Sequence, residues 1–313
     1  MTRPAIPSEI RRAVLVEAGH RCSIPRCSHP DVDVHHITPW EVCRRHEYSN
    51  LIALCPNCHR RAHKGEIDRK ALLLYKAALV ASFRAAEATP FSAPVIEIKR
   101  RLYEVDASAP SRVFDFEFPE FLDSESRIAS KNLEAWGSEL LVDFGTAPFE
   151  RRSETSLDEP SVAWLTGRYT VVRRDAWVLS VRYKIEQMFS GAAHRSSETR
   201  VQNFLLSPFQ PLPLSEALQS EASLSDLSEL VRADLLRPER NLSAEWVRTG
   251  TAARVENFSL FVVQGDGVEF LFPEYQVASY AEGEYWVYLD FRQLGGIFRD
   301  DILAALGAND VEG

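Results

Sequence analysis

All five cysteines of this chain, and seven of its eight histidines, fall at or before residue 63. Cys22 and Cys27 are separated by four residues, and Cys55 and Cys58 by two. Two such thiol pairs, brought together across an intervening loop, supply the four thiolates of a closed tetrahedral site, the geometry that structural zinc prefers. A segment of about 60 residues has little apolar core, so a bound Zn2+ would add folding energy. Buried or redox-active thiols are the plainer alternative, but paired spacing of this kind favours the metal. Cys43 stands outside both pairs and reads as a loop or core thiol.

The histidines call for a second metal. His35 and His36 are adjacent on an extended stretch, so their rings point to opposite sides. One can bind a cation while the other faces a water. His59 follows Cys58 directly, and His59 and His63 share one helix face at i and i+4. This is the makeup of a one-metal phosphodiesterase centre, where a cation polarises the phosphate and a neutral imidazole accepts the proton of the attacking water. Plainer readings stand beside these: Asn50 as a helix N-cap, and His63 as an exposed polar residue. His20, His29 and His46 read as surface or loop residues. Arg44, Arg45, Arg60, Arg61 and Lys64 flank the site and could hold phosphates, or be ordinary solvated charges.

The elements that must position these groups follow in order. Ser8 can cap a first helix to about Ala18, with Gly19 as its stop. Residues 33–37 alternate as a short strand, and Pro39 and Trp40 open a charged loop that runs to Asn50. Leu51 to Leu54 lead into a helix with Pro56 in its first turn and Gly65 at its end. Asp68 can cap a helix to about Glu87, with Leu72, Tyr75, Leu79 and Phe83 on its apolar face. The stretch ATPFSAP at 88–94 has the composition of a linker. Beyond it strands dominate: Phe114, Phe116 and Phe118 alternate with acids, Leu179, Val181, Tyr183 and Ile185 continue an alternation begun at Trp177, and Gly265-Asp266-Gly267 is a hairpin turn. Helices are expected at 124–142, 214–236 and 298–306. The fold class is α+β with a mainly antiparallel sheet in the C-terminal part.

The stretch VDVHHITPW…SNLIALCPNCHRRAH resembles the HNH endonucleases of the ββα-metal superfamily, in their four-cysteine zinc variant, over roughly residues 8–88. The resemblance implies His36 as general base, Asn50 as the residue holding the loop and base in place, His35 and His59 as metal ligands, and His63 as a further ligand or phosphate contact. It implies Mg2+ or another divalent cation at the histidines. Two features depart from many relatives: the loop PWEVCRRHEYSN lacks a Gly-Gly pair, and His35 stands where Asp is frequent.

A second resemblance lies in YTVVRRDAWVLSVRYKIEQMFSGAAHRSSETRVQNF, in PLPLSEAL and in FLFPEYQVASYAEGEYWVYLDFRQL. These segments are similar to a domain of the lysozyme-sensing anti-sigma factor and of some peptidoglycan deacetylases. The Gly191-Ala-Ala-His194 turn and Tyr275 to Gly283 carry the match. It implies an α+β binding or sensing module without catalysis; His194 could be a ligand, but a turn-stabilising histidine is the plainer reading.

Charge divides in the same way. Residues 1–90 hold 14 Lys and Arg against 9 Asp and Glu, a net of +5, and the rest hold 22 against 36, a net of −14. Only the first part is therefore expected to meet nucleic acid. No run of about 18 apolar residues and no secretory h-region is present, and the cysteines cluster, so a cytoplasmic protein without a membrane span is expected. The reading is a nuclease domain at 1–88, a linker at 89–94 and a sensing or interaction domain at 95–313. The expected activity is metal-dependent hydrolysis of DNA phosphodiester bonds, in a defence effector regulated by a protein or small-molecule trigger, with homo-oligomers left open. The alternative is a zinc-dependent nucleic-acid-binding protein without catalysis.

Overall fold

The computed structural model describes residues 4–84, 96–108, 111–147, 162–189 and 195–308. The stretch at 88–94, the Gly191–His194 turn and the side chain of Phe83 lie outside the described residues. The chain forms two compact units. The first comprises Met1–Arg100, Phe118–Leu140 and Leu206–Pro211; the second comprises Arg101–Glu117, Leu141–Leu205 and Leu212–Gly313.

The first unit begins with helix α1, Ser8–Glu17. Its N-cap is Pro7, with no side-chain cap, so Ser8 is the first helical residue and not the cap. Gly19 stops the helix with φ +58°, a conformation that favours glycine. A knuckle follows, in which the Cys22 amide donates to His29 O at 2.9 Å and the Cys27 amide to Ile24 O at 3.0 Å. Strand β1, Asp33–His36, pairs antiparallel with β2, Leu51–Leu54, so that His35 faces Ile52 and His36 faces Leu51. The charged loop between them is more structured than its composition suggests. It contains a short helix α2, Trp40–Cys43, and a 3-10 turn at Tyr48–Asn50. Helix α3, Pro56–His63, has proline at its start, and Gly65 follows at φ +75°. Asp68 Oδ1 accepts from the Ala71 amide at 2.7 Å and so caps α4, Arg69–Arg84.

The core under α3 is small: Ile37, Ile52, Leu54, Ile67 and Leu72, with Cys22, Cys55 and Cys58 among them. Elsewhere in this unit Glu17 is buried and accepts from Tyr48 Oη at 2.7 Å and from Lys76 Nζ at 2.5 Å. Segments far along the chain complete the unit. Arg12 pairs with Glu139 at 2.9 Å, and the rings of Tyr48 and Phe209 meet edge to face at 5.4 Å.

The remaining elements are β3 (Glu97–Asp106), β4 (Arg112–Phe121), α5 (Arg127–Thr146), β5 (Ala163–Arg174), β6 (Val178–Met188), β7 (Ser196–Leu206) and β8 (Phe209–Pro211). These strands form one sheet in the order β3-β4-β5-β6-β7-β8. Strands β5, β6 and β7 pair antiparallel, whereas β4 pairs with β5 in parallel. Phe114 and Phe116 are buried as their alternation predicts, and so is Asp115, which carries ion pairs to Arg101 and Arg168. Leu179, Val181, Tyr183 and Ile185 are buried, but Trp177 precedes β6 and is exposed.

The expected helix at 214–236 is two, α6 (Leu214–Ala217) and α7 (Ser223–Leu235). Then come α8 (Ala244–Gly250), β9 (Phe261–Val263), β10 (Gly267–Phe272), β11 (Tyr285–Asp290) and α9 (Asp300–Ala305). Strands β9 to β11 form a second antiparallel sheet. Phe258, Phe261, Phe270, Phe272 and Phe298 fill its core. Among the described residues no helix is long and apolar enough to cross a membrane.

Candidate metal centres

The sulfurs of Cys22, Cys27, Cys55 and Cys58 all lie within 4.8 Å of one another. Cys27 Sγ stands 3.7 Å from Cys55 Sγ and 3.8 Å from Cys58 Sγ. A tetrahedron with Zn–S bonds of about 2.3 Å has edges of about 3.8 Å, so these spacings fit a zinc thiolate site. The knuckle after α1 supplies one pair and the start of α3 the other. Cys55 is the N-cap of α3, and its sulfur accepts from the Cys58 amide at 3.5 Å. Burial pushes the Cys55 thiol up, but that amide and the neighbouring thiols outweigh it and bring the group to about 7. Burial, with the crowded neighbouring thiols, raises Cys58, and burial raises Cys22. Thiols packed at this spacing cannot all ionise without a cation between them. Cys43 is elsewhere, its thiol directed to Thr38 O and Arg45 O at 3.5 and 3.4 Å.

A second cluster joins His35, His59 and His63, each offering a ring nitrogen within 4.8 Å of the others. His35 comes from β1 and the other two from α3. The ring of His35 meets those of His59 and His63 edge on at 4.8 and 5.1 Å, and the Nε2 atoms of His59 and His63 are 3.2 Å apart. Burial decreases across the set: His35 is buried, His59 half-buried and His63 exposed. Three imidazoles at this spacing fit a divalent cation and leave further coordination positions open. The cluster lines a cleft of about 460 Å³, together with His36, Trp40, Glu41 and Arg69.

His36, the next residue of β1, lines the same cleft, but its ring meets Trp40 and His46 instead of His59 and His63. Its Nε2 lies 3.1 Å from Nδ1 of His46. Asn50 sits behind this strand end. Its Oδ1 accepts from the Thr38 amide at 2.7 Å, its Nδ2 donates to Thr38 O at 3.1 Å, and its carbonyl accepts from the Ile37 amide at 2.8 Å. Asn50 closes the 3-10 turn and caps no helix. It fixes the two residues that follow His36.

His46 lies in a loop, as expected, but not at the surface: it is 6 % exposed and stacks on Trp40 at a centroid distance of 4.5 Å. Its position in a charged loop hid this. The one signal in the sequence is its place four residues before Asn50, in the loop that must pack beneath the site. Among the flanking basic residues, Arg61 pairs with Glu66 at 3.1 Å and Arg60 donates to Asn57 Oδ1 at 3.3 Å. Arg44, Arg60, Arg61 and Lys64 are exposed and Arg45 is half-buried.

In the C-terminal part, the rings of Tyr275 and Tyr280 stack at 5.7 Å, both exposed. Ser279 and Glu282 form a capping box beside them, and Gly283 follows at φ +77°.

Two family models match separate parts of the chain. Residues 216–291 match the family model described as a protein of unknown function, DUF3298. Solved structures of that family, from Bacteroides fragilis and from Pseudomonas aeruginosa, are each 15% identical to this chain. They cover 68% and 67% of it, and 97% of their own chains, with TM-scores of 0.46 and 0.48. Among curated proteins none matches. Residues 20–65, which hold both clusters, match the family model described as HNH endonuclease.

Proposed function

We propose that this protein is a metal-dependent endonuclease that hydrolyses DNA phosphodiester bonds at the histidine cleft. The observation that carries the reading is the placement of His35, His59 and His63 within ligand distance of one another, in the cleft that His36 also lines. His35, His59 and His63 would hold a divalent cation, which would supply positive charge to polarise a phosphate and stabilise a departing oxygen. His36 takes the proton of the attacking water, and Asn50 holds the backbone after His36 so that the ring cannot drift. Exposed Arg44, Arg60 and Lys64 offer charge to neighbouring phosphates. Cys22, Cys27, Cys55 and Cys58 would hold a structural Zn2+ that ties the knuckle after α1 to the start of α3.

The domain assignment follows: residues 1–88 as the nuclease domain, 89–94 as linker, and 95–313 as a sensing or interaction domain. The acidic balance of the later residues disfavours DNA contact there. A nuclease joined to such a domain fits a regulated cytoplasmic effector of defence against foreign DNA, answering to a protein or small-molecule trigger and open to self-association.

The test is incubation of the full chain with plasmid and phage DNA in Mg2+, Mn2+, Ni2+ or EDTA. Cleavage that needs a divalent cation and disappears with EDTA is expected. Retention of DNA without cleavage under every metal would favour zinc-dependent binding without catalysis.

A further inference from the structure

The neighbour of His36 carries more information than its distance. His46 Nε2 lies 3.1 Å from the backbone carbonyl of Pro4, and His46 Nδ1 lies 3.1 Å from His36 Nε2. A carbonyl oxygen can only accept. The proton of a neutral His46 must therefore reside on Nε2, directed at Pro4. That leaves Nδ1 of His46 as an acceptor. The matching donor is His36 Nε2–H, and a neutral imidazole with its proton on Nε2 carries its lone pair on Nδ1.

We propose that His46 is a positioning residue that sets the tautomer of His36. The relay runs from the Pro4 carbonyl through His46 to His36, and it makes Nδ1 of His36 the atom that accepts the proton of the attacking water. When that proton arrives, His36 becomes an imidazolium whose Nε2–H already points at the His46 lone pair. The chain of bonds thus orients the neutral base and stabilises its charged product. Burial of the His46 ring keeps water from competing for its Nδ1. The stack of His46 on Trp40 holds its ring plane. This inference rests on the nuclease reading, since it assigns a residue to that reaction.

Two substitutions separate the relay from simple packing. In His46→Asn the amide oxygen takes the place of Nδ1 and can still accept from His36. In His46→Gln the amide reaches the place of Nε2, keeping the Pro4 contact and losing the acceptor for His36. The cleavage rate of full-length His46→Asn should stay within about threefold of wild type, while that of His46→Gln should fall about 10- to 100-fold, with unchanged DNA affinity and zinc content. Nitrogen-15 spectra of the histidine rings in the full chain should give His36 as the Nε2–H tautomer in wild type and in His46→Asn. Rescue by Gln and not by Asn, or an Nδ1–H tautomer for His36 in wild type, overturns the proposal. Wild-type protein that cuts no DNA yet shows the Nε2–H tautomer would refute the nuclease reading and leave the relay standing.

Discussion

The thiol cluster and the histidine cluster share helix α3 but use it in opposite ways. Its N-terminus, capped by Cys55, turns Cys58 inward to meet Cys22 and Cys27. One residue later, a turn of about 100° around the helix axis carries His59 to another flank, where His63 lies one turn on. The thiols are buried or half-buried and supply four donors, so nothing remains for a substrate. The imidazoles grade from buried to exposed and supply three, beside an open cleft. Closed and open coordination are the marks of structural and catalytic sites respectively. Under the proposed function one helix would separate stability from chemistry by a single residue step, and substitutions should separate them as cleanly.

The largest effect is expected on the thiol side. Zinc binding in small domains contributes on the order of 10 kcal/mol at neutral pH. The core beside it is a handful of aliphatic side chains. Cys55→Ser should abolish bound zinc, from about one per chain, and leave the first unit unfolded or aggregated. Metal analysis and circular dichroism check this, and a normal zinc content in the variant would remove Cys55 from the ligand set.

On the histidine side the fold should survive while activity is lost. His36→Ala should lower the cleavage rate on the order of 10²-fold or more, with DNA affinity and thermal midpoint nearly unchanged, because a general base acts on the water and not on the ground-state complex. His59→Ala should lose cleavage and also weaken binding of the divalent cation, as read by titration calorimetry with Mn2+. Cleavage by His36→Ala at the wild-type rate would break the assignment.

Asn50 lies between these extremes because it links them. Asn50→Ala removes the acceptor and donor that meet the Thr38 backbone. Unpaired buried polar groups cost about 1–3 kcal/mol each, so a lowered thermal midpoint is expected together with a smaller loss of cleavage than His36→Ala gives. A change in stability with no change in rate would restrict Asn50 to holding the fold.

Much of this pattern was legible in the sequence because metal ligands are constrained in both type and spacing. Two thiol pairs and a His-His step on a strand leave few geometries, and β1 and α3 stand where alternation and Pro56 indicate them, whereas the pairing of β1 with β2 at Leu51–Leu54 was not read. What escaped is non-local. His46 looked like one more polar loop residue, since its partners Pro4 and His36 are far off in sequence. Buried Glu17, with Tyr48 and Lys76, arises from packing of α1 on α4, which no local period announces. The association of Phe118–Leu140 and Leu206–Pro211 with the first hundred residues is likewise tertiary. Alternation found the strand at Phe114 to Phe118 but not the burial of Asp115, whose arginine partners come from neighbouring strands.

The smallest effect should come from His63, the exposed end of the histidine set. Its Nε2 stands 3.2 Å from that of His59, close enough to share a cation, yet its side chain remains in contact with water. A ligand that bulk water can replace contributes less than a buried one, because the vacated position is refilled at little cost. His63→Ala should therefore keep the thermal midpoint and the bound zinc. It should raise the Mn2+ concentration needed for half-maximal cleavage by about tenfold, while the rate at saturating Mn2+ falls only a few-fold. His59→Ala, by contrast, should not recover at any concentration. If His63→Ala loses cleavage that Mn2+ cannot restore, His63 acts on the phosphate itself and the cation is held by fewer protein ligands. If neither quantity changes, the grading of the cluster from buried to exposed ends at His59.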